Sequence, residues 1–530
     1  MLDTAIKKLE SSMLLIIILA AVAVYASFSA GLPQRFNSPD EMANAYFSLR
    51  LAQGQPITEP APLNQVADNN IVHPRSTVVV NGQMAPASFL GLPLIFGFIG
   101  RVLGQSTLPY LSPLFAIVGL LAIYLFVREL SGWRAAVIAI ILVASLPAYW
   151  YYHARSFFHN ALFFDLLALQ FYLSLKVLKP GWVWQYIAAG LVFGLAISVR
   201  ASEIFWLSAM WFIWLILNRK ALRIGPLILS GVSAIVAFLP VLLVNKQIYG
   251  QYLSVGYRTG LDLWGVNLNE SLSLLRELII PFGINAAHIW QNVNHYLIKL
   301  QWWWAVLAII GLAFSFYHWF KLTRVAQSYL VMWLLASGWL IVLYGSWLFH
   351  DNPDPSAVTL GTAYMRYWLP LLVWWLLPAA QGLAWWWQKR WGKTLVAAVL
   401  GVFIFLSWQL VMTESQEGLI KIKQNIKRFE NASLQVQAVT PADAVIVTGI
   451  TDKFFFPERQ VMVDLYNERD LESVGRLLRA QVPVYNFHIT WPAADFDYYN
   501  NQLAEHNLSL EPVLQPIGEH SLYQYHLVNL

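Results

Sequence analysis

Two adjacent carboxylates, Asp40 and Glu41, stand in the stretch Phe36-Asn-Ser-Pro-Asp-Glu-Met42, directly after the first long apolar run. A carboxylate at a membrane edge can meet a lipid headgroup and still reach water, and there it can serve as general base toward a hydroxyl or an amine. The same letters also make a good helix start, with Ser38 as cap, Pro39 at the first position and acids in the first turn. The two roles are compatible. Four arginines share the expected membrane side of this pair: Arg155, Arg200, Arg258 and Arg366. A guanidinium grips phosphate through two parallel hydrogen bonds, so four of them beside an acid pair point to an anionic headgroup. Structural pairing is the competing account, as for Arg200 with Glu203 three residues on. His73 and Arg75 in Val72-His-Pro-Arg-Ser76, His159 beside Arg155, and Tyr367 beside Arg366 are candidate substrate-binding residues.

Other ionisable groups are sparser. Asp165 lies about one turn inside an apolar run, where a carboxylate must face the bundle or a cavity. His350-Asp-Asn-Pro-Asp354 holds letters that suit a metal or a polar turn equally. No His-x-x-x-His cluster occurs, so a tight metal cage has no support and the cofactor stays open, with a divalent metal as one option. The absence of cysteine excludes disulfides, thiol catalysis and thiolate metal sites.

These residues are carried by a chain of 530 residues that is 58% hydrophobic and 12% charged. That is about half the charge of an ordinary soluble chain, and it identifies an all-α polytopic membrane bundle. Eleven apolar runs are long enough to span: 13–31, 109–127, 134–152, 160–178, 183–199, 201–217, 225–245, 302–318, 328–348, 367–387 and 394–412. A twelfth, 86–104, is interrupted by Pro93, Gly97, Gly100 and Arg101. With the N-terminus inside and only eleven crossings, Lys7/Lys8, Arg128/Arg134, Lys176/Lys179, Arg219/Lys220/Arg223, Lys321/Arg324 and Lys389/Arg390/Lys393 all fall inside. A twelfth crossing would reverse that bias, so 86–104 is expected to be an interfacial helix on the outer side. The net charge of +5 is this inside bias and does not indicate a nucleic-acid partner. The expected place is a multi-pass, inner-membrane setting in a prokaryote, with the bilayer itself as a partner.

The division expected from this topology is a membrane domain over 1–412, including an outer loop 32–108, and a soluble extracytoplasmic domain over 413–530. The tail alternates helix and strand: helix 416–438, strands 444–448 and 461–464, helix 470–480, strand 482–489, helix 495–506, and strands 509–516 and 521–528. That alternation suggests a small α/β layer. It contains no phosphate-binding glycine motif and no nucleophile elbow.

The set as a whole resembles the C-superfamily of integral-membrane glycosyltransferases, and within it the branch of protein O-mannosyltransferases and lipid A aminoarabinose transferases. The resemblance rests on one span, a long loop opening with Ser38-Pro-Asp-Glu41, an interfacial helix after Pro86, many short-looped spans and a C-terminal outer domain. Three stretches add to it: Gly190 to Arg200, Asn245 to Tyr257, and Gly361 to Pro370. A departure is Met84-Ala-Pro86, where aminoarabinose transferases carry a Lys-Pro-Pro-type segment. The resemblance implies a polyprenyl-phosphate sugar donor, a lipid, glycan or protein acceptor, and inverting transfer at the extracytoplasmic face. It makes Asp40 the general base with Glu41 beside it, and Arg366, helped by Arg155, Arg200 and Arg258, the donor-phosphate ligand. The alternative is a transporter or lipid flippase without transferase chemistry, and a third reading is a non-catalytic assembly or sensor subunit.

Overall fold

The computed structural model describes residues 2–528 apart from Pro33, Val255, 257–278, His350, Asp351, Pro353, Pro355, Asp464 and Tyr466. Arg258 therefore lies outside the described residues, as do His350, Asp351 and Pro353 of the His350–Asp354 stretch. Two compact units form, and neither is continuous in the chain: Met1–Ala30, Pro109–Leu243 and Asp262–Lys421 make the first, and Gly31–Leu108, Val244–Leu261 and Ile422–Leu530 make the second.

The first unit is helical. Across the described residues of the chain, eight helices are long and apolar enough to cross a membrane, or up to ten if each of two bent pairs counts as one span. The expected run 183–199 forms a helix, Val183–Val199, of 17 residues. One bent pair, Trp133–Ala144 with Pro147–Arg155, turns by 59°. Proline at the first position of the second helix explains the break, because its ring brings no N–H and displaces the preceding turn. Where helices must approach closely, glycine permits it. A Cβ on Gly190 would stand 2.0 Å from the Ser230 carbonyl oxygen, and one on Gly194 would stand 2.3 Å from that of Ala234. This four-residue glycine spacing presses Val183–Val199 onto the helix beginning at Ile224, where lipid supplies no hydrophobic drive and backbone contact must do the holding. Asp165 is fully buried, as expected. It accepts from the Tyr149 hydroxyl at 2.9 Å and lies 2.8 Å from His153 Nε2.

The second unit holds two sheets. In the smaller, β1 (Glu59–Pro60) and β2 (Thr77–Val80) both pair antiparallel with β3 (Gln83–Pro86). Asn81 and Gly82 make the two-residue turn with φ of 51° and 71°, as that dipeptide predicts. The apolar helix after β3 covers Gly91–Leu103, shorter than the expected 86–104 because β3 takes Pro86 and an irregular bend takes 87–90. The larger sheet has β4 (Val445–Thr448), β5 (Gln460–Val463), β6 (Val484–Ile489), β7 (Leu508–Ile517) and β8 (His520–Leu527) in the order β5-β4-β6-β8-β7. β4 runs parallel to β5 and β6, and the β6–β8 and β8–β7 pairs are antiparallel. This is the α/β layer expected of the tail. Loop residues belong to its core: Ala67 and Val72 are buried with Val447, Met462, Val474 and Leu477, and Val72 bridges Met462 on edge strand β5.

Candidate functional site

In the second unit, helix Pro39–Ala52 begins with a complete capping box. The Ser38 hydroxyl accepts from Asp40 N at 3.3 Å, and the Glu41 carboxylate accepts from Ser38 N at 3.0 Å. Glu41 is thus turned back onto its own backbone and is 2% exposed. Asp40, one position earlier on the same turn, faces elsewhere and is half-buried. Its Oδ1 accepts from the Ser76 hydroxyl at 2.7 Å. Ser76 has φ of +60°, a left-handed conformation that costs a non-glycine residue on the order of 1 kcal/mol.

The neighbouring loop residues have other partners. Arg75 donates from its backbone N to Asp452 Oδ2 at 2.8 Å, and from Nε and Nη2 to Oδ1 at 3.0 and 2.7 Å. It also donates to the Ile450 carbonyl. That guanidinium is held by a wholly buried aspartate. His73 Nδ1 lies 2.9 Å from the Pro74 carbonyl, to which it can only donate, and 3.2 Å from Thr77 Oγ1. Burial lowers the His73 pKa below the ordinary imidazole value, which keeps the ring neutral at pH 7.

In the first unit, Arg155, Arg200 and Arg366 share two aromatic rings. Arg155 lies 4.9 Å and Arg366 5.5 Å from the Phe158 ring centre. Arg200 lies 4.8 Å and Arg366 5.4 Å from the centre of Tyr367. Arg155 also donates to the Tyr151 hydroxyl at 2.7 Å. The chain reaches Phe158 through two successive left-handed residues, Ser156 and Phe157, with φ of 69° and 57°. Such a pair persists only where surrounding contacts impose it, and it brings Phe158 back toward Arg155. Arg200 makes the ion pair weighed from the sequence: Nε and Nη2 lie 2.8 and 2.5 Å from Glu203 Oε1. The same carboxylate accepts from Tyr344 at 2.6 Å and from the Trp206 indole. Tyr367 stacks on Tyr344 with ring centres 4.6 Å apart. His159 is buried at the start of helix His159–Val177.

The turn before Arg366 is held from two sides. The Tyr152 hydroxyl donates to the Leu360 carbonyl at 2.7 Å, and Thr359 donates to a Glu417 carboxylate oxygen. A Cβ on Gly361 would stand 2.2 Å from that carboxylate, so a larger residue there would push the Glu417 side chain aside. Sequence reasoning missed Ser76, Phe158, Glu417 and Asp452, and the glycine in Gly361-Thr-Ala-Tyr-Met-Arg366 was the one local hint that something close-packed sits at this turn. The first unit also contains a largely apolar cavity of about 420 Å³, lined by Gly190, Phe193, Gly194, Trp211, Trp214 and Phe238 among others. Among the described residues no group of three His, Asp or Glu side chains gathers into a metal site. Asp354 accepts from Ser356 N and Oγ within its own turn.

Residues 92–244 match the dolichyl-phosphate-mannose-protein mannosyltransferase family. No curated protein sequence matches the chain. Among solved structures, ArnT from Cupriavidus metallidurans in the apo state is similar with a TM-score of 0.57 and 12% identity, over 97% of this chain and 98% of that one. The same protein bound to undecaprenyl phosphate gives 0.53 and 11%, over 96% and 97%. The oligosaccharyltransferase AglB from Archaeoglobus fulgidus, in complex with an inhibitory peptide and a dolichol-phosphate, gives 0.52 and 12%, over 98% of this chain and 74% of that one. At such identities the likeness is one of fold, and together with the family match over 92–244 it agrees with the resemblance to C-superfamily membrane glycosyltransferases read from the sequence.

Proposed function

We propose that this chain, built on the fold of C-superfamily membrane glycosyltransferases, transfers a sugar from a polyprenyl-phosphate donor to an acceptor, with inversion at the anomeric carbon. The observation that carries the reading is the gathering of Arg155, Arg200 and Arg366 about Phe158 and Tyr367. Guanidiniums on aromatic faces are presented with their N–H edges directed, the form that recognises a phosphate. As the bond from sugar to phosphate breaks, negative charge grows on the leaving oxygen, and fixed cations stabilise that charge more than the ground state. Arg366 takes this role first. Arg155, Arg200 and Arg258 assist, and Arg200 is already offset by Glu203. Asp40 removes the acceptor proton as the acceptor oxygen or nitrogen attacks the face opposite the leaving phosphate. A single displacement of this kind inverts the centre. The apolar cavity near Gly190 and Trp211 suits a hydrocarbon chain.

The matched structures with undecaprenyl phosphate and dolichol-phosphate make a polyprenyl phosphate the reasonable carrier for this chain. The positive-inside bias supports an N-terminus inside and a transfer site and C-terminal domain outside, in the plasma membrane of a prokaryote. The experiment supplies a panel of radiolabelled polyprenyl-phosphate hexoses and pentoses to the purified chain, with cell-envelope extract as acceptor. Transfer from one of them is the expected outcome. In Asp40→Asn it should fall by about 10³-fold while binding of the unglycosylated polyprenyl phosphate persists. No transfer from any donor would overturn the reading, and full activity in Asp40→Asn would overturn the base. A transporter or flippase is favoured by the two bent helix pairs and by the buried His153–Asp165 pair. It predicts movement of the lipid across vesicles without any change in the sugar bond.

A further inference from the structure

The sequence of the C-terminal layer holds no phosphate-binding glycine motif and no nucleophile elbow, yet two consecutive residues of it reach both chain segments that frame Asp40. We propose that Asp452 and Lys453 are positioning residues for Asp40, and that the C-terminal layer serves to hold that carboxylate in place. The proposal rests on the reading of Asp40 as the base.

On one side the Asp452 carboxylate, buried completely, takes both the backbone N–H and the guanidinium of Arg75. Gripping main chain and side chain together leaves Arg75 little torsional freedom. The next residue is Ser76, held in its left-handed conformation, with its carbonyl accepting from Ala87 N at 3.0 Å and its hydroxyl on Asp40 Oδ1. On the other side Lys453 Nζ donates to the Asn37 carbonyl at 2.5 Å. The next residue is Ser38, whose hydroxyl accepts the Asp40 N–H. Two residues further back, Arg35 is buried and holds the same segment to the C-terminal chain. It donates to Glu430 at 2.8 Å, to Glu458 at 2.7 Å, to the Phe456 carbonyl at 3.1 Å and to Ser433 at 3.0 Å.

Each partner alone has a structural use. Their arrangement goes further, because neighbouring residues of one short helix, Asp452–Phe455, fix the backbone on the two sides of one carboxylate. One of those sides is kept in a conformation a serine does not choose by itself. A base must lie within hydrogen-bond reach of the proton it takes, and a displacement of about 1 Å can cost about a hundredfold in rate.

The test uses the full chain in nanodiscs, with the radiolabelled donor that reacts. Lys453→Met, Ser76→Ala and Asp452→Asn should each lower kcat about tenfold or more with the donor KM within about twofold of the parent. Lys453→Arg, which keeps a donor for Asn37, should restore most of the rate. Amide exchange should quicken at 36–41 in Lys453→Met and at 74–78 in Asp452→Asn, with the membrane helices unchanged. Should Asp452→Asn not fold, Lys453→Met and Ser76→Ala decide, since both leave Asp452 paired with Arg75. Unchanged kcat in those two, with Asp40→Asn inactive, would refute the positioning role and leave the base standing. Full transfer by Asp40→Asn would remove the base reading and this proposal together.

Discussion

Asp40 and Glu41 differ by one place in the chain and by about 100° around the helix. That rotation separates their work. Glu41 completes the cap on Ser38, and Asp40 meets Ser76. Glu41→Ala should therefore lower stability by about 1 kcal/mol, read as a fall in melting temperature, while transfer by the folded fraction keeps most of its rate. Loss of transfer equal to that of Asp40→Asn would show that the two acids act as one. Arg366 belongs to the same scale. A lysine keeps the charge but loses the planar fork and the ring contacts with Phe158 and Tyr367. Arg366→Lys should lower kcat about 10²-fold, and a parent-like rate would remove Arg366 from the leaving-group role.

Among the elements, helix Val183–Val199 depends on its glycines. Its apolar side chains face lipid as readily as protein, so the close approach at Gly190 and Gly194 is what locates it. Gly190→Leu would drive a side chain into the Ser230 carbonyl. Its expected result is a lower melting temperature and early aggregation in detergent, against little change for leucine at Gly231, where nothing lies within 4 Å. Equal behaviour of the two variants would contradict the packing. The helix ending at Arg155 shows a different dependence: Pro147 sets its start, and the left-handed pair Ser156–Phe157 sets its exit.

For the whole molecule, the second unit is assembled from three separated pieces of chain. The loop 31–108 contributes core residues to the C-terminal sheet, so loop and tail are expected to share one side of the membrane. The absence of cysteine makes this directly measurable. In intact cells a membrane-impermeant maleimide should label Glu505→Cys and leave Ala221→Cys unlabelled until the cells are opened. The reverse pattern would invert the proposed topology and move the acid pair to the cytoplasmic face.

Local rules made much of this protein legible. Apolar runs and their lengths predict a polytopic helical bundle, Ser38-Pro-Asp-Glu41 predicts a capped helix, Asn81-Gly82 predicts the hairpin turn, and alternating periodicity predicts the tail's strands and helices close to their observed bounds. Each depends on residues within a few positions of one another, where backbone sterics and side-chain period decide. The rest depended on partners far away in the chain. Arg75 reads as a candidate substrate-binding residue until Asp452, 377 positions on, is found beside it. Ser76 and Lys453 carry no motif, and their meaning comes only from standing on two sides of Asp40. A guanidinium, a hydroxyl or a carboxylate has the same letter whether it binds substrate or holds a loop, and only chain closure in three dimensions selects which.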